Sequence, residues 1–222
     1  MTTTARASTL TCLTLTLLLP VASPAEPAAD VAAAGWAVRQ RSDRAGEMYT
    51  LYDRPRAGSD YLEYRMEVPV DAQPEDVMAA LEHNLLDSAT WPENFERTIL
   101  RREERVIVSH DYIRVPFLSD RDVVVRTEIG RDAETGFPVM RWFSIAGEGP
   151  APADGVVRMP SSTGSWTLQP DVGGRTLAVY ESHVELGGSL PTAFVEARIP
   201  REIAQQAREL RQTMREREVA QR

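Results

Sequence analysis

The sequence predicts an α+β fold, in which an antiparallel β-sheet carries one short helix and the chain closes with a long helix. Polar and apolar residues alternate in segments such as 60–70, as they do in strands with one buried face. Short links such as "DVGGR" join these segments, which favours hairpins and therefore antiparallel pairing. Near the end of the chain, apolar residues recur at every third or fourth position, which is typical of an amphipathic helix.

The N-terminal region has the composition of a cleaved signal peptide. The basic residue Arg6 precedes an apolar run at 10–22 that is too short to span a bilayer. Ser23 and Ala25 suit the −3 and −1 positions of a cleavage site, so residues 1–25 are predicted to be removed. An uncleaved membrane anchor is the alternative.

Cleavage would leave a mature chain outside the cytoplasm, either periplasmic or secreted. Residues 26–34 are rich in alanine and proline and are predicted to form a flexible linker before a folded domain at 35–219. Cys12 is the only cysteine and lies in the predicted signal peptide. The mature domain would therefore have no thiol for a disulfide, a nucleophile or a metal site.

Composition limits the classes of partner. The 222-residue chain is 42% hydrophobic and 26% charged, so most of it can fold around one core. With 33 acidic and 25 basic residues, the formal net charge is −8 at pH 7. This negative charge argues against nucleic acid and against docking by charge on anionic lipid headgroups. Any membrane contact is expected to be transient and mainly apolar, and the protein is expected to be a monomer.

Strands are predicted along most of the domain. The first two occupy residues 47–54 and 60–70, and the second has one apolar face and one charged face. The other strands, in order, are predicted at 105–115, 122–130, 137–145, 156–159, 164–169 and 175–186.

Two segments have helical spacing. In the first, Pro74 suits the opening turn, and the acidic residues Glu75 and Asp76 favour the positive end of a helix. The second is the long C-terminal helix, which Pro200 is expected to kink. Its apolar face consists of Phe194, Val195, Ile199, Ile203, Ala207, Leu210 and Met214.

Several short motifs, in order along the chain, resemble those of the START domain family, the steroidogenic acute regulatory protein-related lipid-transfer proteins. "FLSDRDVVVR" is similar to the family's Ser/Pro-Arg-Asp-apolar strand start, and "GSWTLQP" to its Gly-x-Trp-x-Leu-x-Pro strand. "GGSLPTAFVEARIP" resembles the segment that leads into the family's last helix, and "WPENFERTIL" the segment after its first inserted helix. The resemblance covers roughly residues 35 to 215.

The resemblance implies a helix-grip fold, as in the wider polyketide cyclase group, with a curved sheet wrapped around the C-terminal helix. It also implies an internal cavity that binds, and can shuttle, one lipid or other apolar small molecule without catalysis or cofactor. A polyketide cyclase or aromatase-like enzyme that uses the same cavity is one alternative, although export argues against it because carrier-bound intermediates are cytoplasmic. A noncatalytic partner-binding module, with a filled core, is another.

Strand faces and the resemblance together suggest site residues. The family often has an acidic residue at the position of Asp111 that points into its tunnel, and a buried carboxylate needs a cation. The family's cation position holds Thr127 here, so Arg141 is the candidate partner, and the alternative is that Asp111 and Arg141 both face solvent. The predicted cavity lining is Asp111, Ile113, Arg141, Phe143, Phe194, Ile203 and Leu210.

Other polar residues are given structural roles or none. Arg121 and Asp122 are predicted to hold a turn, with Arg121 bonded to a neighbouring carboxylate. The histidines His83, His110 and His183 lack the spacing of metal ligands, so no metal site is predicted, and His110 and His183 are expected at the surface. The "GGSLP" segment provides a glycine hinge, so the C-terminal helix is expected to act as a lid, with a permanently docked helix as the alternative.

Overall fold

A computed structural model describes residues 31–32, 34–44 and 46–220. The predicted signal peptide and all but the end of the predicted linker lie outside the described residues. Val31, at that end, is 2% exposed and packs with Trp36 and Tyr52. Within the described part of the chain, no helix is long and apolar enough to cross a membrane.

The described residues form one large sheet and two long helices. The strands are β1 (Ala37–Ser42), β2 (Tyr49–Pro55), β3 (Leu62–Val70), β4 (Phe95–Arg102), β5 (Val106–Ile113), β6 (Arg121–Arg131), β7 (Pro138–Ser144), β8 (Val157–Arg158), β9 (Ser161–Asp171) and β10 (Arg175–Glu185). The helices are α1 (Pro74–Leu86) and α2 (Thr192–Ala220), with short 3-10 turns at Ser88–Thr90 and Val172–Gly174.

The sheet is curved and almost entirely antiparallel. Its strand order is β1-β2-β3-β10-β9-β7-β6-β5-β4, and the two-residue β8 pairs in parallel with β6. The last strand, β10, therefore lies beside β3 and joins the two halves of the chain. The predicted α+β fold, an antiparallel sheet with a long C-terminal helix, is confirmed.

The sequence patterns do not predict two strands, β1 and β4, because these strands are the edges of the sheet. Most residues of β1 and β4 are exposed, so neither strand has the alternation that marks a buried face. β4 does contribute Phe95 and Arg97 to the concave side of the sheet. Because β4 was not predicted, its contribution to the site was not predicted either.

The apolar core lies where α1 and the second half of α2 pack on the middle strands. Val77 and Leu81 of α1 meet Leu168 and Met66 of the sheet in this core. Leu210, predicted to line the cavity, belongs to this core instead and is 0% exposed. Helical spacing places Leu210 on the same face as Ile203, but it does not tell where along α2 the packed core begins. α2 continues through Pro200 as a single helix.

Candidate functional site

A pocket of about 400 Å³ lies between the concave side of the sheet and the first half of α2. The register of the strands and the packing of α2 bring the predicted residues Asp111, Ile113, Phe194 and Ile203 to its wall. The pocket and the apolar core occupy neighbouring parts of the sheet. They share four aromatic side chains, here called the aromatic floor: Tyr64, Trp142, Trp166 and Tyr180.

Three of the four rings of the aromatic floor contact one another. The ring centroids of Trp166 and Tyr180 are 5.0 Å apart, with planes at 61°. Those of Trp142 and Tyr180 are 5.5 Å apart, with planes at only 33°. Burial raises the pKa of the Tyr64 phenol to about 12 and also raises that of Tyr180. Both phenols therefore stay neutral at physiological pH.

Gly164 makes room for this arrangement. A Cβ atom on Gly164 would lie 2.2 Å from Cζ2 of Trp142 and 2.4 Å from the carbonyl oxygen of Glu181. Gly164 and Trp142 are partners in the register of β9 and β7, so the indole lies against bare backbone. Any larger residue would force the indole away from β9.

A second group of residues, here called the polar end, consists of Arg97, Ser109 and Asp111. Arg97 Nε donates to Oδ1 of Asp111 at 2.7 Å, and Nη2 donates to Oδ2 at 2.6 Å. Ser109 Oγ donates to Oδ1 at 2.8 Å, and Arg97 Nη1 donates to the carbonyl of Leu85 at 3.2 Å. Asp111 is 5% exposed, so this bidentate pair is a largely buried group with no net charge.

The predicted pair between Asp111 and Arg141 is wrong. Arg141 lies on the convex side of the sheet, is exposed, and donates to Asp132 at 2.5 Å. Phe143 shares that side and is 36% exposed, so neither residue lines the pocket. β7 has apolar residues on both faces, and alternation alone could not show that Met140 and Trp142 face inward.

Arg121 joins two segments beside the pocket. Its guanidinium donates to the carbonyl of Ser119 and, at 3.5 Å, to the carbonyl of Gly187. The predicted bond to a carboxylate is wrong, since Arg121 has no ion pair among the described residues. Gly187 and Gly188, with φ of 65° and 64°, lead from β10 toward α2. Arg121 therefore links the turn before β6 to the segment that leads into α2.

Asp122 has a structural role on the convex side of the sheet. It is 2% exposed and accepts from Nε and Nη2 of Arg158, both at 2.8 Å, and lies 2.9 Å from Nε2 of His110. Arg158 Nη2 also donates to the carbonyl of Pro150 at 2.7 Å. Hydrogen bonding to Arg158, and then to His110, holds the pKa of Asp122 below its ordinary value. Asp122 thus fixes β8 and the loop before it against β6.

The histidines do not form a metal site. His183 was expected at the surface, but it is 5% exposed, and its Nε2 lies 3.0 Å from Oγ of Ser59. Burial lowers its pKa, so the ring is neutral at physiological pH. Across the described part of the chain, no group of three or more His, Cys, Asp or Glu residues could hold a metal ion.

Comparison with known proteins decides the family. The START domain model matches residues 26–219 of the sequence. The chain belongs to the START domain family. The family resemblance predicted from the motifs is therefore confirmed.

Relatives of this START domain share its architecture at low sequence identity. A STAR-related lipid transfer protein of Xanthomonas axonopodis is 24% identical with a TM-score of 0.68, over 82% of this chain and 99% of that one. Human StAR-related lipid transfer protein 5 is 21% identical with a TM-score of 0.66, over 82% of this chain and 88% of that one. These similarities establish the shared helix-grip fold alone.

Two further relatives leave the activity open. An uncharacterized protein of Pseudomonas aeruginosa is 28% identical over 137 residues, which is 61% of this chain and 66% of that protein. The Zhui aromatase/cyclase of a Streptomyces species is 16% identical with a TM-score of 0.50, over 70% of this chain and 94% of that one. Since the fold occurs in lipid-transfer proteins and in an aromatase/cyclase, it does not by itself separate binding from catalysis.

The START domain's polar end and aromatic floor contain residues that sequence reasoning missed. Arg97 stands in the quoted segment "WPENFERTIL", two positions after Phe95, and that spacing would place both on one face of a strand. Trp142 lies between Arg141 and Phe143, which were predicted to line the cavity, so the prediction assigned Trp142 to the outer face. Finding Trp142 would have required the correct inward face of β7. Finding Arg97 would have required a prediction of the strand β4.

Proposed function

We propose that this START domain binds one lipid or other apolar small molecule in the pocket between the sheet and α2. The observation that carries the proposal is the pocket itself, because its volume of about 400 Å³ falls within the range of roughly 300–1,000 Å³ typical of small-molecule sites. Apolar and aromatic side chains make up most of its wall. Charged lining residues lie both at the polar end, as Arg97 and Asp111, and on α2, as Arg198, Glu202 and Glu209. The family supports the same ligand class.

The polar end favours ligand selection over chemistry. Both oxygens of Asp111 are engaged by Arg97, and one also accepts from Ser109. A carboxylate held in this way is poorly suited to take a proton from a substrate, whereas its outer surface can still orient a ligand hydroxyl or carbonyl. We therefore propose that Asp111 has no catalytic role.

Native mass spectrometry of the protein purified from its host tests this function. We expect the mass of one apolar molecule in addition to the chain, lost after extraction with organic solvent. Asp111→Asn should change which molecule is bound, because an amide has the same shape without the charge. It should also lower the free energy of unfolding, since Arg97 loses its buried anion, so the variant is compared under conditions where circular dichroism shows it folded. Asp132→Asn, on the convex side, is the matched control. An empty wild-type chain would contradict the proposed function, and an unchanged profile in Asp111→Asn would contradict the role of Asp111.

We also propose that the domain works outside the cytoplasm. The supporting observation is the basic and then apolar composition of residues 1–25, followed by small residues. The denatured mass of the same native sample should correspond to a chain that starts at Glu26. A cytosolic chain that retains Met1 would rule out export.

Shuttling would require the first half of α2 to move away from the sheet. Gly187 and Gly188 supply the backbone freedom for this movement. Arg121 links the segment that contains them to the turn before β6. Ser119 and Ser189 are both exposed, so a short crosslinker between cysteines at these positions should hold α2 closed. Exchange of bound ligand with vesicles should then slow at least tenfold relative to either single-cysteine variant. Undiminished exchange in the folded, crosslinked protein would show that α2 is not a lid.

A further inference from the structure

We infer that Ser59 and His183 form a catalytic dyad, in which Ser59 is a nucleophile that small activated esters acylate and that water then releases. The two residues lie where the loop between β2 and β3 meets the end of β10. The site is separate from the ligand pocket, because Ser59 is not among the residues that line it. The inference therefore goes beyond the proposed function and does not rest on it.

The hydroxyl of Ser59 and the imidazole of His183 have the geometry of a nucleophile and its base. Oγ of Ser59 lies 3.0 Å from Nε2 of His183, within the range of about 2.6–3.2 Å expected for such a pair. Oγ also accepts the N–H of Tyr61 at 3.0 Å. Because this bond engages one lone pair of Oγ, the hydroxyl proton is free to point at Nε2. The pair thus has the direction that proton transfer from serine to histidine requires.

His183 can act as a base at physiological pH because its ring is neutral there. The residue is 5% exposed, and burial, followed by the positive charge of Arg56, lowers its pKa from the ordinary value of 6.5. With the ring proton on Nδ1, Nε2 accepts the proton of the serine hydroxyl.

Charged groups beside the imidazole suit the charges that form during acylation. Oε1 of Glu185 lies 3.4 Å from Nε2 and stabilises the imidazolium that forms when His183 takes the proton. Arg56 and Glu63 also act on the ring, and they pair with each other at 3.4 Å. The Arg56 side chain is 44% exposed, so its guanidinium can turn toward a negative oxygen. The arrangement differs from a Ser-His-Asp triad, since the acid and the serine contact the same nitrogen.

The reaction has two steps. Oγ of Ser59 attacks the carbonyl carbon of the ester while Nε2 of His183 takes the hydroxyl proton, and Arg56 offsets the charge on the carbonyl oxygen. The bond from the carbonyl carbon to the leaving oxygen breaks, and Nε2 returns the proton to that oxygen. Water then attacks the acyl group on Ser59 by the same route, which releases a carboxylic acid and restores the serine hydroxyl.

The surroundings of Ser59 indicate the class of substrate. Ser59 is half-buried, and Gly58 and Asp60 on either side of it are exposed, so an ester can reach the hydroxyl from solvent. None of these three residues lines the pocket that would hold a long apolar chain. The site therefore suits esters with a short acyl group and a good leaving group, which react without being enclosed.

A fluorophosphonate probe tests the nucleophile directly, because an activated serine displaces its fluoride and forms a bond from Oγ to phosphorus. We expect mass spectrometry to locate the probe on the peptide that contains Ser59, and to find none there in Ser59→Ala. The exposed Ser119 is the internal control and should react at least about 100-fold more slowly. Hydrolysis of p-nitrophenyl acetate measures turnover and should be faster in the wild type than in Ser59→Ala.

The role of His183 has its own measurements. His183→Asn should slow labelling of Ser59 by about 100-fold or more while circular dichroism shows the variant folded. In the wild type, labelling should rise with pH to a plateau with its midpoint below pH 6.5, because only the neutral ring accepts the proton. This midpoint should be absent in His183→Asn. If that variant does not fold, the pH profile of the wild type is the deciding measurement.

Each possible failure has a distinct meaning. The inference is overturned if Ser59 is labelled no faster than Ser119, or if folded His183→Asn reacts at the rate of the wild type. Labelling of the wild type without the expected midpoint also overturns it, because His183 would then only hold the loop against β10. Labelling of Ser59 without faster ester hydrolysis than in Ser59→Ala overturns the release by water. These outcomes leave the proposed ligand binding untouched, since native mass spectrometry tests it separately.

Discussion

Replacing Arg97 with alanine should destabilise the domain by about 3 to 5 kcal/mol, because it leaves the buried carboxylate of Asp111 without its cation. Asp111 is 5% exposed, and the bond from Ser109 alone cannot replace two charge-assisted hydrogen bonds. The free energy of unfolding is measured by urea denaturation of the wild type and the variant.

Two further variants make this test specific. Arg101→Ala, on the same strand, breaks pairs with Glu103 and Glu148. The three side chains are 46%, 59% and 47% exposed, so the loss should stay below about 1 kcal/mol. The double variant Arg97→Met/Asp111→Leu should recover much of the lost stability, because it removes both charges together. If Arg97→Ala lowers the free energy of unfolding no more than Arg101→Ala does, the pair at the polar end is effectively exposed to water and the prediction is wrong.

Arg158→Ala should cost about 3 kcal/mol, since it leaves Asp122 buried with only His110 as a partner. The loss should not exceed that of Arg97→Ala, because Nε2 of His110 still lies 2.9 Å from Asp122 and keeps one hydrogen-bond partner for the carboxylate. Urea denaturation at neutral pH again measures the effect. Arg126→Ala, also on the convex side, is the control, and its pair with the exposed Glu128 should contribute less than about 1 kcal/mol.

The pH dependence of stability gives an independent check on Asp122. Its folded-state pKa lies below the ordinary value of 3.8, chiefly because of Arg158. The unfolded chain therefore binds the proton more tightly, so this group stabilises the fold above pH 3.8 and its contribution is lost as the pH falls below that value. Arg158→Ala should flatten this acid-induced loss. An identical acid transition in the variant and the wild type would contradict the assignment.

The fold was predictable where strands have one wet and one dry face. Residues 60–70 and 175–186 alternate because one side packs on helices, and the observed strands Leu62–Val70 and Arg175–Glu185 agree closely with them. β1 and β4 were not predictable in this way because their residues are mostly exposed. Such strands are recognised by their hydrogen-bonded neighbours, which alternation in a single segment does not reveal.

The site was predictable only in part. Alternation and the family resemblance predicted that Asp111 lines the cavity, and the structure places it at the pocket wall. Its partner was not predictable, because Arg97 belongs to an edge strand and competes with the many other arginines of the chain. Arg141 and Phe143 were assigned to the wrong side because both faces of β7 are apolar enough to pass as the inner one.

The separation of the packed core from the pocket has a consequence for how ligand choice can diverge among related proteins. The core around Leu168 and Leu210 supplies most of the apolar burial, and it lies on the far side of the aromatic floor from the polar end. Natural proteins have little stability to spare, so most tolerated changes are those that spare the core. Substitutions at pocket positions such as Ile113 and Phe194 would therefore let a lineage explore new ligands while the domain remains folded.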